Sequence, residues 1–212
     1  AGHEDNALSL PDSEQAGVPI SLANFLRASR VMQAGLLVAV VANFCFGGLI
    51  EVALPTLAHG PLNAGASGYG IILAGFGAGA LAGGIISGML GKLQHKGLVA
   101  LLVGLVQGLA IVPIPYAGIP GAVAFMFISG IANSVSNVLL ITLFQQSIIP
   151  PHLMGRVMGV LLFTSFGSYP ISVALAGVLT TRFGPAILFP FSGAALILAI
   201  LFGLSQKELR EL

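Results

Sequence analysis

The chain has 212 residues and a net charge of +1, and hydrophobic residues make up 56% of it. Charged residues are only 7%, against roughly a quarter in a soluble domain, and the mean hydropathy is +1.01. This composition excludes a soluble globular protein and predicts an integral membrane protein. The small net charge gives no reason to expect a nucleic acid as partner. One cysteine, Cys45, excludes an internal disulfide, and neither a metal nor a cofactor is expected.

The first 30 residues differ in composition from the rest. Residues 1–18 are polar and acidic and lack the basic and apolar regions of a signal peptide, so they are predicted to be a linker. Residues 19–30, "PISLANFLRASR", place three apolar side chains on one helical face and both arginines off it. This pattern predicts an interfacial amphipathic helix. The chain begins with Ala instead of Met, which is expected either of a part of a longer protein or of a chain whose initiator Met was removed.

Six stretches are long and apolar enough to cross a bilayer as helices, which takes about 20 residues each. These predicted spans, numbered one to six, are 32–57, 67–90, 97–115, 120–146, 156–181 and 185–204. Together they predict a six-helix transmembrane domain over residues 31–205, with a tail at 206–212.

The basic residues predict the orientation of these spans. With six crossings, only Arg182 lies on one side of the membrane, and the other side holds Arg27, Arg30, Lys92, Lys96, Arg156, Lys207 and Arg210. Lys and Arg concentrate on the cytoplasmic side of membrane proteins. Both termini are therefore expected in the cytoplasm, as are the loops that hold Lys92, Lys96 and Arg156.

Span two is rich in small residues at helical spacing. They form two stripes spaced by four, namely Gly75, Gly79 and Gly83, and Ala80, Gly84 and Gly88. Small residues at this spacing allow a neighbouring helix to approach closely. We therefore expect span two to pack tightly on two faces. Spans three and six are the most uniformly apolar, with Gln107 and Ser192 as their main polar interruptions, and are expected to face lipid.

Two spans have polar residues along one helical face. The stripe is Asn43, Gly47 and Glu51 in span one, and Ser129, Asn133 and Asn137 in span four. Polar side chains within a bilayer either line the bundle interior or a wet cavity, or join helices by hydrogen bonds. Two such stripes favour a substrate cavity, with Asn43, Gly47, Ser129, Asn133 and Asn137 as its residues.

Glu51 is the only acidic residue within a predicted span. It lies about 25 Å from Ala34 along the helix, in the outer part of span one. Two interpretations stay open. The carboxylate is hydrated among the headgroups, or it faces the cavity beside Asn43, where binding and release of a proton would couple an ion gradient to transport.

A resemblance to a known family lies in three stretches, "LPTLAHGPLNAGASGYGIILAGFGAGALAGGIISGML", "NSVSNVLLITLFQQSIIPPHLMGRVMGVL" and "AGVLTTRFGP". They are similar to the C-terminal half of a major facilitator superfamily transporter, in the branch of drug and macrolide efflux proteins. The resemblance covers about residues 18–205. It implies an all-α membrane protein whose six transmembrane helices form one half of a twelve-span transporter, as a 3+3 inverted repeat. It also implies that spans one and four line the cavity and that spans three and six are peripheral.

The expected function is efflux of small amphipathic molecules from a bacterial cell by alternating access. The chain contains no ATP motif, since Leu93 in "GKL" stands where a phosphate loop needs Ser or Thr, so an ion gradient is the expected energy source, as in an antiporter. The partner is a missing N-terminal six-helix half, a separate chain or a second copy. Residues 1–18 would then be the remnant of the central cytoplasmic loop, and the location the inner (cell) membrane.

Two alternatives have the same composition. One is a truncated fragment or membrane scaffold that transports nothing. The other is an intramembrane serine protease, since "GASG" at 65–68 is similar to the Gly-x-Ser-Gly of rhomboid-type enzymes. A serine nucleophile needs a base within hydrogen-bond reach, and the expected positions of His95 and His152 lie across the membrane from Ser67. His59 shares its side but has no evident orienting group, so no enzyme is expected.

Overall fold

The computed structural model describes residues 30–90, 96–143 and 154–206. Seven α-helices form in these ranges: α1 (Arg30–Gly48), α2 (Leu54–His59), α3 (Gly65–Leu90), α4 (Lys96–Ile111), α5 (Gly118–Leu143), α6 (Met154–Phe183) and α7 (Leu188–Ser205). A π-helical segment, Leu49–Ala53, joins α1 to α2, and short 3₁₀ turns, Ile114–Tyr116 and Pro185–Ile187, precede α5 and α7. Each predicted span coincides with helix where it is described, with residues 144–146 of span four outside those ranges, and the described ranges contain no strand. The prediction of an all-α membrane protein is confirmed.

Five helical stretches are long and apolar enough to cross a membrane. They are Gln33–His59, Gly65–Met89, Lys96–Tyr116, Gly118–Leu143 and Pro185–Ser205. Helix α6, which matches span five, is not one of these five. Its 30 residues extend over about 45 Å, more than the hydrocarbon thickness of about 30 Å. The sixth crossing therefore stays a prediction.

Several predictions concern residues outside the described ranges. These are the linker 1–18, the interfacial helix over 19–30 except for Arg30 at the start of α1, Lys92, and the tail beyond Gln206. Two of the predicted loop cations are described. Lys96 is the first residue of α4, and Arg156 is exposed in the first turn of α6.

Glycines bring the backbones of α3 and α5 into direct contact. A Cβ atom on Gly83 would lie 2.6 Å from the carbonyl oxygen of Ile131, and one on Gly75 would lie 3.0 Å from that of Val123. Between them, a Cβ atom on Gly79 would overlap the backbone of α5. Only glycine permits this approach, so the first predicted stripe is a helix-packing surface along its full length.

Of the second stripe of span two, Ala80 lies against α5, since a Cβ atom on Gly130 would lie 2.9 Å from its backbone nitrogen, whereas Gly84 and Gly88 are open in the described chain. A Cβ atom on Gly88 would meet nothing within 4 Å, and one on Gly84 would meet only the Ser134 hydroxyl, at 3.8 Å. Neighbouring Leu81 and Ile85 are exposed. Packing of Gly84 and Gly88 against a second partner therefore stays a prediction, and within the described residues α3 packs tightly on one face. The physical reason is that α3 lies at the edge of the bundle with α5 on one side.

Helices α4 and α7 are only partly lipid-facing. Each has an exposed apolar face and a buried face, and their polar residues Gln107 and Ser192 are 3% and 5% exposed. The buried faces meet closely, because a Cβ atom on Gly193 would lie 2.7 Å from the carbonyl oxygen of Gly108. The expectation that both spans simply face lipid is wrong. Uniformly apolar helices do not reveal which face is buried, since lipid tails and protein core are similarly apolar.

The apolar core fills the bundle unevenly along its axis. The larger cluster lies toward the end that holds His59 and Tyr116 and consists of Leu49, Ala53, Leu54, Leu57, Ile72, Ile111, Ile114, Ala122, Met126, Ala176, Leu188 and Phe189. A smaller cluster toward the opposite end consists of Ala34, Val38, Leu101, Leu143, Leu196 and Ile200. Among the described residues, the larger cluster fills the half of the bundle near His59, and the smaller cluster leaves space in the half near Lys96.

The glycine contact predicts a difference between two identical substitutions on α3. Gly79→Leu should destabilise the protein by about 1–3 kcal/mol or more, because the new side chain overlaps the backbone of α5. Gly88→Leu, the matched control, should change stability by less than about 0.5 kcal/mol. Thermal unfolding of both purified variants in detergent measures the difference. Equal melting temperatures would show that the α3–α5 contact does not limit stability.

Candidate functional site

A cavity of about 340 Å³ lies in the half of the bundle that the larger cluster leaves open. Its walls come from α1, α4, α5, α6 and α7. Most of the lining is apolar and includes Phe46, Leu140, Met158, Leu162 and Phe166. Since Leu162 and Phe166 are exposed, the cavity reaches the surface of the described chain beside α6.

Five polar side chains interrupt this apolar lining. They are Asn43, Gln107, Asn133, Ser136 and Asn137. Three of them, Asn43, Gln107 and Asn133, lie 10–13 residues from the ends of the described helices on the side of Lys96, which is about 15–20 Å at 1.5 Å per residue. This is about half to two thirds of the hydrocarbon thickness of about 30 Å. We call these three residues the amide layer.

The polar side chains of the cavity differ in how their hydrogen bonds are used. Asn43 donates to the carbonyl oxygen of Ala39 at 2.8 Å, and Asn137 donates to the backbone carbonyl of Asn133 at 2.9 Å. Ser136 donates to the carbonyl of Ala100 at 2.7 Å and so joins α5 to α4. The side chain of Gln107 has no hydrogen-bond partner among the described residues. Only Ser136 therefore acts as a link between helices.

Three of the five residues predicted to line a substrate cavity line this cavity, and two do not. Asn43, Asn133 and Asn137 line one cavity, whereas Gly47 and Ser129 do not. A Cβ atom on Gly47 would lie 2.8 Å from Cδ2 of Tyr169, so Gly47 is a packing residue. Ser129 is fully buried, and its hydroxyl has no partner. The reason is geometric: a stripe with a spacing of four drifts by about 40° per step on a helix with 3.6 residues per turn.

Gln107 and Ser136 line the cavity and were not predicted to do so. Gln107 was interpreted as an interruption of a lipid-facing span. The available signal was its spacing from Ala100 and Gly104, which puts two small residues and one amide on the same face of α4. Small residues beside a buried amide leave the room that a cavity requires.

A serine from α6 inserts into the hydrogen-bond ladder of α1. The hydroxyl of Ser172 accepts from the N–H of Gly48 at 2.8 Å and donates to the carbonyl of Phe44. In a regular α-helix these two backbone groups pair with each other. The π-helical segment begins at the next residue, and Pro55 beyond it has no N–H to give to the preceding turn. The helix therefore widens where the serine enters.

Glu51 lies in this widened segment and is not among the residues that line the cavity. The hydroxyl of Tyr169 on α6 donates to Oε1 of Glu51 at 2.8 Å, and both residues are exposed. Of the two interpretations of Glu51, the position in the cavity beside Asn43 is not the one that the described residues show, because the π-helical segment changes the direction of the side chains within it. The carboxylate instead belongs to the contact between α1 and α6, and its role in proton coupling stays a prediction.

A bundle of membrane-length helices with a polar-lined cavity at mid-depth is the architecture of a membrane transport protein. The family model described as Major Facilitator Superfamily matches residues 3–173, and the chain therefore belongs to the Major Facilitator Superfamily. Comparisons with curated proteins and with solved structures gave no match. Because this family consists of transporters, the prediction of a membrane transporter that is not an enzyme is confirmed, and the protease alternative for Ser67 is set aside.

The inserted serine gives a prediction for the contact between α1 and α6. Ser172→Ala removes two buried hydrogen bonds and should lower the free energy of unfolding by about 1–2 kcal/mol. Thr181→Ala is the control on the same helix, because the exposed Thr181 hydroxyl bonds only within α6, to the carbonyl of Val178 at 2.9 Å. Thermal unfolding in detergent compares them. An equal shift in both variants would mean that the insertion does not hold the helices together.

Proposed function

We propose that the chain is the C-terminal half of a secondary active transporter, of the drug and macrolide efflux branch, that exports small amphipathic molecules. The cavity with its amide layer is the observation that supports this function, since substrate sites of secondary transporters lie near the bilayer midplane. The cavity is open on one side, where the apolar side chains of Ile141, Leu162 and Phe166 are exposed. These side chains indicate that another polypeptide would complete the cavity wall. An N-terminal half, a separate chain or a second copy would supply it.

The proposed orientation places both termini in the cytoplasm of a bacterial cell, with the protein in the inner membrane. It rests on the distribution of Lys and Arg. In this orientation the cavity would lie in the cytoplasmic half of the bundle, and the larger apolar cluster would close the outer half. Such a state takes up substrate from the cytoplasm, as an exporter requires.

The chemistry of the cavity suits an amphipathic substrate. Aromatic and aliphatic side chains such as Phe46, Leu140 and Phe166 would remove the apolar body of the molecule from water. The amides of Asn133 and Asn137 would orient its polar groups, because an amide both donates and accepts hydrogen bonds without bearing a charge.

The substrate site is tested by transport of N-phenyl-1-naphthylamine, an uncharged amphipathic dye, in vesicles that contain the chain and the half that completes it. Asn133→Ala and Asn137→Ala should each raise the half-saturating dye concentration about fivefold, the equivalent of about 1 kcal/mol. Ser129→Ala is the control on the same helix, since this buried hydroxyl lies outside the cavity. Unchanged transport in both asparagine variants would assign these residues to helix packing. Absence of transport by folded wild-type protein would favour the scaffold alternative.

We further propose that Glu51 couples transport to a proton gradient through its contact with Tyr169. A hydrogen bond to an ionised carboxylate is roughly twice as strong as one between neutral groups. Protonation of Glu51 would therefore weaken the link between α1 and α6, two helices that line the cavity. Protonation of Glu51, which lies outside the cavity, would thus change the contact between two helices that form the cavity walls.

Glu51→Gln tests this coupling, because it keeps the shape of the side chain and removes its charge. Efflux of the dye driven by a pH gradient should fall at least tenfold, while exchange of dye across the membrane without a gradient continues. Tyr169→Phe keeps the carboxylate and removes its partner, and should shift the dependence of efflux on pH. Normal gradient-driven efflux by Glu51→Gln would leave Glu51 as a hydrated residue at the membrane edge.

A further inference from the structure

We infer that the cavity selects uncharged ligands that bear a carboxamide or a similar donor–acceptor group, and that Gln107 recognises this group. The inference rests on the proposed function in taking the cavity as the substrate site. It assigns a ligand class and a specificity-determining residue that lies on α4, a helix expected at the periphery of the fold.

Gln107 is buried without satisfying its hydrogen-bonding groups. Its side chain is 3% exposed and lines the cavity, yet no described residue accepts or donates a hydrogen bond to it. Its amide atoms are not among the enclosed side-chain atoms without a partner in the described chain, which are the hydroxyls of Ser129 and Thr180, so the amide is accessible from the cavity. It does not join helices, because that role requires a partner on the other helix. A ligand in the cavity would supply the partner.

The cavity extends along α4 from Gln107 toward Lys96. Gly104 and Ala100, one and two turns away from Gln107, also line it. One turn in the other direction, Ile111 belongs to the larger apolar cluster. Gln107 therefore lies at the closed end of the cavity, where the polar group of an entering ligand would stop. The apolar remainder of the ligand would face Leu162 and Phe166 at the mouth.

The composition of the lining selects against charge. None of the described residues that line the cavity is Asp, Glu, Lys, Arg or His. A charged group at the closed end would lose its hydration without gaining a counter-ion, which is costly in an apolar environment. Each amide of the layer instead matches a neutral group that both donates and accepts, and two primary amides can pair through two hydrogen bonds.

Three probes of nearly equal shape separate these properties. Quinoline-3-carboxamide is neutral, quinoline-3-carboxylate is an isosteric anion, and N-methylquinolinium-3-carboxamide is a permanent cation. Equilibrium dialysis against the full chain in lipid nanodiscs measures binding, and empty nanodiscs correct for partition into lipid. The neutral carboxamide should bind at least tenfold more tightly than either charged probe. Equal or tighter binding of a charged probe would overturn the assignment of ligand class.

Substitution of Gln107 separates recognition from structure. Gln107→Leu should weaken binding of the carboxamide about tenfold and leave binding of the carboxylate unchanged. Because the replaced amide has no partner, the melting temperature of this variant should be equal to or above that of the wild type. Gln107→Asn keeps an amide and should restore part of the affinity. Val106→Leu, on the exposed face of the same helix, is the control and should bind all three probes as the wild type does.

The outcomes distinguish this inference from the proposed function. Gln107 would be structural if Gln107→Leu bound the carboxamide as tightly as the wild type. The same conclusion would follow if this variant had a lower melting temperature and lost affinity equally for all three probes. Failure of folded wild-type protein to bind the carboxamide would overturn the ligand class, whereas efflux of N-phenyl-1-naphthylamine would still support transport. Absence of that efflux together with selective binding of the carboxamide would refute the transporter and retain the site.

Discussion

The contact between α3 and α5 is the constraint on which the arrangement of the bundle depends. In a bilayer the burial of apolar surface does not drive helices together, and close packing must supply the attraction. Glycines on α3 meet the backbone of α5, and Gly130 of α5 approaches the backbone of α3 in return. This reciprocal fit permits one rotation of α5 about its axis. With that face of α5 held against α3, Asn133 and Asn137 are turned toward α1 and the cavity.

Hydrogen bonding then divides the buried polar side chains into two groups. Ser136 and Ser172 each bond to the backbone of a neighbouring helix and hold helices together. Gln107 has no such bond within the described chain and faces open space. The distinction matters because a polar residue in a membrane helix is consistent with either role when the sequence alone is considered. A buried donor that bonds to a neighbouring helix serves structure, whereas the Gln107 amide is accessible from the cavity and the unbonded Ser129 hydroxyl is enclosed.

The irregular part of α1 connects these features to the acidic residue. Ser172 enters the helix from α6, the π-helical segment follows, and Pro55 lies beyond it. The widened turn brings Glu51 to Tyr169 instead of aligning it with Asn43. The contact between α1 and α6 thus contains the two bonds of Ser172 and the bond from Tyr169 to Glu51.

The sequence by itself determined the class of protein, the positions of the membrane-length helices, the glycine surface of α3 and the polar stripe of α5. Composition and segment length suffice for the first two, and side-chain size and spacing suffice for the others. Only the tertiary structure decided that Gln107 faces the cavity, that Ser129 and Gly47 do not, that Gly88 is open and that Glu51 bonds to Tyr169. The physical reason is that lipid and protein core are both apolar, so the sequence of a membrane helix carries little information about its rotation. Contacts between helices that are distant in the chain decide that rotation. In span one, the π-helical segment also changes the direction of the side chains, which a regular spacing of four residues does not predict.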